Sequence, residues 1–142
     1  MDQGRGAPTP VLVVDGANVV GSRPDGWWRD RPGAAARLHA RLVAAEAEGR
    51  VVLVLEGRAR DGVAAAGDGR VSVIHAPGNG DDTIVEVAAD AVGAGSATTV
   101  VTADRELRER VRALGAGTQR PGILLARLDA LDQDRARDRD PT

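Results

Sequence analysis

The sequence predicts an α/β fold in which one mainly parallel sheet lies between two layers of helices. Short apolar runs rich in β-branched residues alternate along the chain with longer segments of helical periodicity. The runs are continuously apolar rather than alternating, which indicates strands covered on both faces. Right-handed crossovers between such strands give a doubly wound, three-layer α/β/α sandwich.

Four of the apolar runs are predicted strands, because each is short and rich in valine or threonine. Their sequences are VLVV (11–14), VVLVL (51–55), VSVI (71–74) and TTVVT (98–102).

Four helices are predicted around these strands. In the first, residues 32–48, Leu38 and Leu42 share one face, and Pro32 stands in the first turn, where its missing amide hydrogen costs nothing. The connection 57–70 is long enough for a crossover but offers only a short Ala-rich helical candidate. The other three helices are predicted at 82–92, 104–114 and 122–131.

The chain has 142 residues, which suits one compact core and is short for two. We therefore predict a single domain over residues 9–131. Residues 1–8 and the charged, nearly apolar-free tail 132–142 (DQDRARDRDPT) are predicted to be disordered.

Composition narrows the class of protein. The chain has no cysteine, no apolar run of the roughly 20 residues that cross a bilayer, and no signal-peptide pattern at its start, so we expect a cytoplasmic protein without a membrane partner. Its formal net charge is -2, which means that any binding of nucleic acid must be local. A homo-oligomer is left open.

Acidic residues stand where the predicted strands end. Asp15 follows the first strand, Glu56 the second and Asp104 the fourth, while Asp81 and Asp82 open the helix after the third. Ligands of open parallel sheets collect at this edge, near the point where the strand order reverses. If the first and fourth strands flank that point, Asp15 and Asp104 become neighbours, and Asp81 reaches over them.

Three clustered carboxylates repel one another unless a cation lies among them, and an oxygen-only set of ligands suits Mg²⁺ or Mn²⁺. Such a cation can activate a water for attack on a phosphodiester. Each acid also has a purely structural interpretation. Asp15-Gly16 is an ordinary turn pair, Asp81 and Asp82 suit a helix start, and Thr83 with Glu86 fits a capping box.

Helical periodicity separates the adjacent acids Asp81 and Asp82. Ile84 and Ala88 follow the spacing of a buried face, and Asp81 lies one turn before Ile84, near that side. Asp81 is therefore predicted to face the acid cluster. Asp82 is predicted to point away and to act as a helix cap or a supporting residue outside the metal ligands.

Three stretches together form a recognisable set: VVDGANVV, GDDTIVEVA and VVTADRELRERV. The chain resembles the PIN-like NYN ribonuclease domains, and among them the YacP-like group, from about Val11 to Leu131. The resemblance implies a metal-dependent nuclease acting mainly on RNA. It also implies that Asp15, Asp81 and Asp104 are the catalytic acids and bind the metal.

The same resemblance assigns supporting residues. Asn18 matches the asparagine of the first stretch, which implies that it orients a ligand or contacts phosphate. Family members often carry a further acid after the T-x-D aspartate, a place that Glu106 would take here, or that Glu56 could fill from the second strand.

A loop with both tryptophans follows the first strand. This segment, residues 21–32 (GSRPDGWWRDRP), suits single-stranded RNA, because bases stack on aromatic rings while guanidinium groups meet phosphates. In the other interpretation, one tryptophan simply covers the core. The predicted substrate-binding residues are Arg23, Trp27, Trp28, Arg29, Arg31 and, beside Asp104, Arg105.

Two other functions stay open beside a ribonuclease. A non-catalytic RNA-binding or interaction module would keep the fold and the loop without needing all three acids. A nucleotide phosphohydrolase is less well supported, because the chain has no Walker glycine loop and no E-x-x-E helix pair.

Overall fold

The structure is a computed structural model that describes residues 8–45, 49–67 and 69–139. Strands and helices alternate along the chain, and two short 3-10 turns, Trp27–Arg29 and Gly57–Gly62, lie between them. The strands are β1 (Val11–Asp15), β2 (Arg50–Leu55), β3 (Val71–His75), β4 (Thr98–Val101) and β5 (Gly117–Gln119). The helices are α1 (Gly16–Val20), α2 (Arg31–Ala44), α3 (Gly80–Gly93), α4 (Arg105–Ala113) and α5 (Pro121–Arg139).

The described strands form one sheet in the order β3-β2-β1-β4-β5, and every pairing is parallel. Val13 pairs with Val52 on one side and with Val100 on the other, which makes β1 the central strand. The chain winds outward through β2 and β3 and then continues on the opposite side of β1. The predicted α/β fold is thus confirmed. The strand order reverses between β1 and β4, so these two strands flank the switch point, which was the condition for Asp15 and Asp104 to be neighbours.

Both faces of the sheet are buried, which is why its strands read as continuous apolar runs. Alternate side chains point to opposite faces. Val14 and Leu53 pack with residues of α2 and α5, whereas Val13 and Val100 pack with residues of α3 and α4, including Ile84. Each of these four strand residues is fully buried, so two apolar clusters hold the three layers together.

Two short elements differ from the sequence-based expectation. The edge strand β5 has the polar sequence GTQ, so it carries no apolar run that would predict a strand. The helix α1 spans only five residues, too few to show helical periodicity. The first long helix, α2, ends at Ala44, and residues 46–48 of its predicted range lie outside the described residues.

The connection between β2 and β3 has a 3-10 turn at its start and no helix in its Ala-rich middle. After the turn, Ala66 forms an antiparallel bridge with Val73. The His75 Nε2 atom lies 2.7 Å from the Val63 carbonyl oxygen. The backbone of this segment is therefore held by β3 rather than by helical hydrogen bonds.

The last helix is longer than predicted. The sequence placed its end at residue 131, followed by a disordered tail, whereas α5 continues to Arg139. Charged residues of this extension have partners on α2: the Arg41 Nε atom donates to Asp132 at 2.9 Å, and Arg135 donates to the Ala44 carbonyl at 3.2 Å. Residues 1–7 and 140–142 lie outside the described residues.

Within the described ranges, the helices are too short or too polar to cross a membrane.

Candidate active site at the carboxyl edge of the sheet

Asp15 stands at the end of β1 and caps α1. Its Oδ1 atom accepts a hydrogen bond from the Asn18 amide at 3.3 Å, and its Oδ2 atom accepts one from the Thr102 hydroxyl at 2.9 Å. Only 7% of the residue is exposed. Two donors, one in α1 and one just after β4, therefore fix the orientation of a buried carboxylate.

Gly16 explains why a glycine follows this aspartate. A Cβ atom at Gly16 would lie 2.7 Å from the Val54 carbonyl oxygen and 2.8 Å from the Leu55 side chain. Distances this short to a backbone oxygen require a glycine. The close approach lets α1 start directly against β2, which holds Asp15 at the edge of the sheet.

The end of β4 is joined to the end of β1 by side chains. The Thr102 hydroxyl, which is fully buried, donates to Asp15 and accepts from the Asp104 amide at 3.2 Å. The Asn18 Oδ1 atom accepts from the Ala103 amide at 2.8 Å. Asp104 itself caps α4, since its Oδ1 atom accepts from the Leu107 amide at 2.9 Å. Asp15 and Asp104 are thus connected through Thr102, as neighbours across the switch point.

Thr102 is absent from the site residues that the sequence predicts, although it is the threonine of the T-x-D pattern. From this pattern the sequence predicts only the aspartate as a site residue, because a carboxylate can bind a metal ion directly. A buried hydroxyl between two acids can be recognised only when both partners are in place.

Two further acids, Glu56 after β2 and Asp81 in α3, lie at the same edge of the sheet. The helix begins at Gly80, and Asn79 caps it by accepting from the Asp81 amide at 3.1 Å. The Glu56 carboxylate accepts a hydrogen bond from the Gly80 amide. Glu56 and Asp81 therefore meet at one helix start. The capping box suggested for Thr83 is wrong, because this residue lies inside the helix.

The adjacent acids Asp81 and Asp82 point in different directions. Asp81 is partly buried and lies on the side of α3 that carries Ile84. The side chain of Asp82 is 79% exposed and forms an ion pair with Arg110 at 3.0 Å. This geometry is the one that helical periodicity predicts, and the roles assigned to the two acids stay predictions.

Burial and neighbouring charges disfavour ionisation of Asp15. Burial raises the pKa of Asp15 to about 6, and the charges of Asp81 and Glu56 act in the same direction. The hydrogen bonds from Thr102 and Asn18 oppose this shift without cancelling it. A cation beside Asp15 would oppose both effects, because an opposite charge favours the ionised form of a carboxylate.

Asp81 is coupled to acids on both sides. Burial raises its pKa first, and the charges of Asp104 and Glu56 raise it further, while Arg110 lowers it. The charge of Glu106, an exposed residue in the first turn of α4, adds a smaller effect. Asp81 therefore interacts with acids from three other parts of the edge: Asp15, Glu56 and the start of α4.

The acids at this edge offer oxygen ligands, the kind that Mg²⁺ and Mn²⁺ prefer. Among the described residues, no three histidine, aspartate or glutamate side chains come close enough together to hold an ion. The side chains of Asp15, Asp81 and Asp104 thus do not form a closed set of direct ligands. Mg²⁺ usually retains several waters and contacts only one or two carboxylates, so an open cluster of mutually repelling oxygen donors fits a hydrated cation.

A cleft of about 400 Å³ opens beside the acids. Glu56 and Asn79 line one part of it, and Trp27 and Arg31 line another. The Arg31 guanidinium lies 5.5 Å from the centre of the Trp27 ring, within the range of a cation–π contact. The structure thus brings Trp27 and Arg31, two of the predicted substrate contacts, next to the acid cluster.

Two other predicted substrate contacts, Arg23 and Arg105, do not line the cleft beside the acids. Arg23 donates to both carboxylate oxygens of Asp129 on α5, at 2.8 and 3.3 Å. Its guanidinium, together with that of Arg41, lowers the pKa of Asp129 to about 2. Arg105 is 93% exposed and lies 3.9 Å from Glu109. Arg23 therefore anchors α5, and Arg105 points into solvent.

The fold was compared with known proteins. No protein-family model matches the chain, and no curated protein matches its sequence significantly. The crystal structure of Rae1 (YacP) from Bacillus subtilis superposes with a TM-score of 0.74 and 20% identity, covering 92% of this chain and 80% of that one. The chain has a YacP-like fold. A single-substitution mutant of the same protein gives a TM-score of 0.73 and 21% identity over 90% and 80% of the two chains.

The raised pKa of Asp15 predicts how the stability of the metal-free chain depends on pH. Its folded value of about 6 lies above the ordinary 3.8, so between these values the folded state holds a proton that the unfolded state has lost. The free energy of unfolding is therefore expected to fall by about 2 to 3 kcal/mol as pH rises from about 4 to about 6. The raised pKa of Asp81 acts in the same direction.

Denaturant unfolding in EDTA across this pH range measures the effect. Asp15→Asn keeps a cap of equal quality and removes the charge, so this variant is expected to lose most of the pH dependence. Asp90→Asn, the same change at an exposed position of α3, serves as the control and is expected to keep it. If the free energy of unfolding of Asp15→Asn depends on pH as strongly as that of the wild type, Asp15 is not the source of the effect.

Proposed function

We propose that the chain is a metal-dependent ribonuclease that hydrolyses phosphodiester bonds of single-stranded RNA at the carboxyl edge of its sheet. One observation carries the proposal: Asp15, Glu56, Asp81 and Asp104 interact electrostatically at the switch point between β1 and β4. Open α/β sheets bind their ligands at this place. The resemblance of the sequence to NYN ribonuclease domains and the YacP-like fold support the same function.

Asp15, Asp81 and Asp104 would hold Mg²⁺ or Mn²⁺, some of them through water. When bound, such an ion supplies an activated water and stabilises charge on the leaving oxygen. The chain's own residues prepare the site. Thr102 and the Asn18 amide fix the direction of the Asp15 oxygens, and the Asn18 side chain holds the backbone that leads to Asp104.

The cleft of Trp27 and Arg31 would bind the nucleotide next to the acids. Trp27 is half-buried, so part of its ring is open to a stacking base, and the Arg31 guanidinium above it can contact a phosphate. Stacking accepts any base. We therefore expect binding with little sequence preference.

A non-catalytic RNA-binding module on the same fold is the second candidate. It is favoured by the finding that no three of the described acidic or histidine side chains are grouped closely enough to hold an ion. This function would keep the tryptophan and arginine cleft and would not require a metal. Measurement of cleavage distinguishes the two candidates.

The wild-type chain is expected to be stabilised by Mn²⁺ and to cleave a labelled single-stranded RNA only when Mn²⁺ or Mg²⁺ is added. A ligand that binds the folded state alone stabilises it by about 2.7 kcal/mol at a hundredfold excess over its dissociation constant. Thermal melts with and without metal, followed by gel analysis of the RNA, test both points. Identical melting temperatures across millimolar metal, together with intact RNA, would leave the binding module as the function.

A further inference from the structure

A second cleft of about 500 Å³ adjoins the first one. Trp28, Arg29, Arg31 and Arg58 line it, and we call it the arginine cleft. Arg31 also lines the cleft beside the acids, so the two clefts meet at this residue.

The charge of the arginine cleft is opposite in sign to that of the chain. Three of its lining residues are arginines and one, Asp30, is acidic, whereas the whole chain has a formal net charge of -2. The Asp30 carboxylate caps α2 by accepting from the Gly33 amide at 2.9 Å. Its charge is therefore directed toward the helix start, where it is favourable, and the cleft complements a polyanion.

Two segments that are distant in sequence form the walls of this cleft. Arg58 lies in the turn Gly57–Gly62, and Arg31 begins α2. A Cβ atom at Gly62 would overlap the Pro32 carbonyl, so the turn packs directly against the residue that follows Arg31. The position of Arg58 beside Arg31 is thus built into the packing of the fold.

The rings of the two tryptophans face different directions. Their rings are perpendicular, with centres 6.0 Å apart, so they cannot stack on the same base. Trp28 is 50% exposed, and the Arg29 guanidinium lies 5.9 Å from the centre of its ring. Trp28 therefore offers a second stacking surface, next to a second cationic group.

We propose that the arginine cleft binds the part of a single-stranded RNA that lies outside the bond to be cleaved. Arg29 and Arg58 contact its phosphates, and Trp28 stacks on one of its bases. This inference rests on the proposed function and adds Arg58 to the substrate-binding residues. No signal in the sequence points to Arg58, because the turn that carries it is separated from the tryptophan loop by α2 and β2.

Arg58→Gln tests the proposal, with Arg127→Gln as a control of equal charge at an exposed position of α5. Both are made in an Asp81→Asn background, so that the RNA is not consumed. For a single strand of about 12 nucleotides, Arg58→Gln is expected to weaken binding about fivefold and to reduce the slope of log affinity against log salt by about 0.7. The control is expected to change neither quantity.

A dinucleotide, which is too short to fill both clefts at once, gives the contrast. Its affinity is expected to change less on Arg58→Gln than that of the longer strand, since the lining residues of the cleft beside the acids do not include Arg58. If Arg58→Gln and Arg127→Gln bind the longer strand equally, the arginine cleft is not an RNA subsite. The binding assay needs no cleavage, so it tests this inference separately from the proposed hydrolysis. If the wild type does not cleave RNA but Arg58→Gln still reduces the slope of log affinity against log salt, the proposed hydrolysis is overturned and the RNA subsite is kept.

Discussion

Asp81→Asn is expected to reduce the metal-dependent turnover of single-stranded RNA by at least about 100-fold while the fold stays intact. Asp81 is the acid coupled to Asp15, Glu56 and Asp104, so its loss removes charge from the centre of the cluster. The Asp81 amide, which donates to Asn79, is unchanged by the substitution. Because burial and neighbouring acids raise the pKa of Asp81, its neutral replacement is expected to keep or increase stability in the absence of metal.

Asp82→Asn is the matched control, since it makes the same change at the next residue. Asp82 is mostly exposed and pairs with Arg110 on the surface, where an ion pair is worth at most about 1 kcal/mol. A mild effect on turnover is expected. Rates measured with Mn²⁺ and a labelled RNA compare the two variants. If Asp81→Asn is active and Asp82→Asn is inactive, the prediction that Asp81 is the acid serving the cluster is wrong.

Combinations of substitutions give a further check on a shared site. Asp15→Asn and Asp104→Asn are expected to lose as much turnover as Asp81→Asn. Pairs of these changes should cost little more than one, because groups that serve one metal act as a unit. Losses that simply multiply would indicate separate roles for the acids.

The parts of the fold that the sequence predicted share one physical origin. Most positions of β1 to β4 are buried or partly buried on both faces of the sheet, and burial favours apolar residues there, which is visible in the sequence. The contact between the ends of β1 and β4 follows from the strand order, which connection rules restrict strongly. For this reason the sequence predicts Asp15 and Asp104 as neighbours once the first and fourth strands are taken to flank the switch point.

The features that the sequence did not predict depend on contacts between distant segments. β5 is a polar edge strand whose backbone pairs with β4, and pairing of that kind leaves no pattern in side chains. The extension of α5 depends on partners in α2, such as Arg41 for Asp132. Arg23 was predicted to meet substrate from its place in an arginine-rich loop, whereas Asp129, more than a hundred residues later, determines its position.

The Thr102 hydroxyl links the two acids at the switch point, so we expect Thr102→Val to disturb both. Valine has nearly the same shape but cannot donate to Asp15 or accept from the Asp104 amide. Leaving buried polar groups unsatisfied costs about 1 to 3 kcal/mol of stability. Loss of an orienting partner typically weakens metal binding by about 10- to 100-fold.

The pKa of Asp15 distinguishes the hydrogen-bonding role of Thr102 from a role in packing alone. The hydrogen bond from Thr102 lowers the pKa of Asp15, so its removal should raise that pKa above about 6. The pH interval over which the metal-free chain loses stability is then expected to extend to higher pH in Thr102→Val. Thr102→Ser restores the hydroxyl and should recover both the wild-type pH interval and most of the affinity for Mn²⁺. Calorimetric titration with Mn²⁺ and denaturant unfolding against pH measure the two effects, and a valine variant that is merely less stable, with wild-type metal affinity and pH interval, would reduce Thr102 to a packing residue.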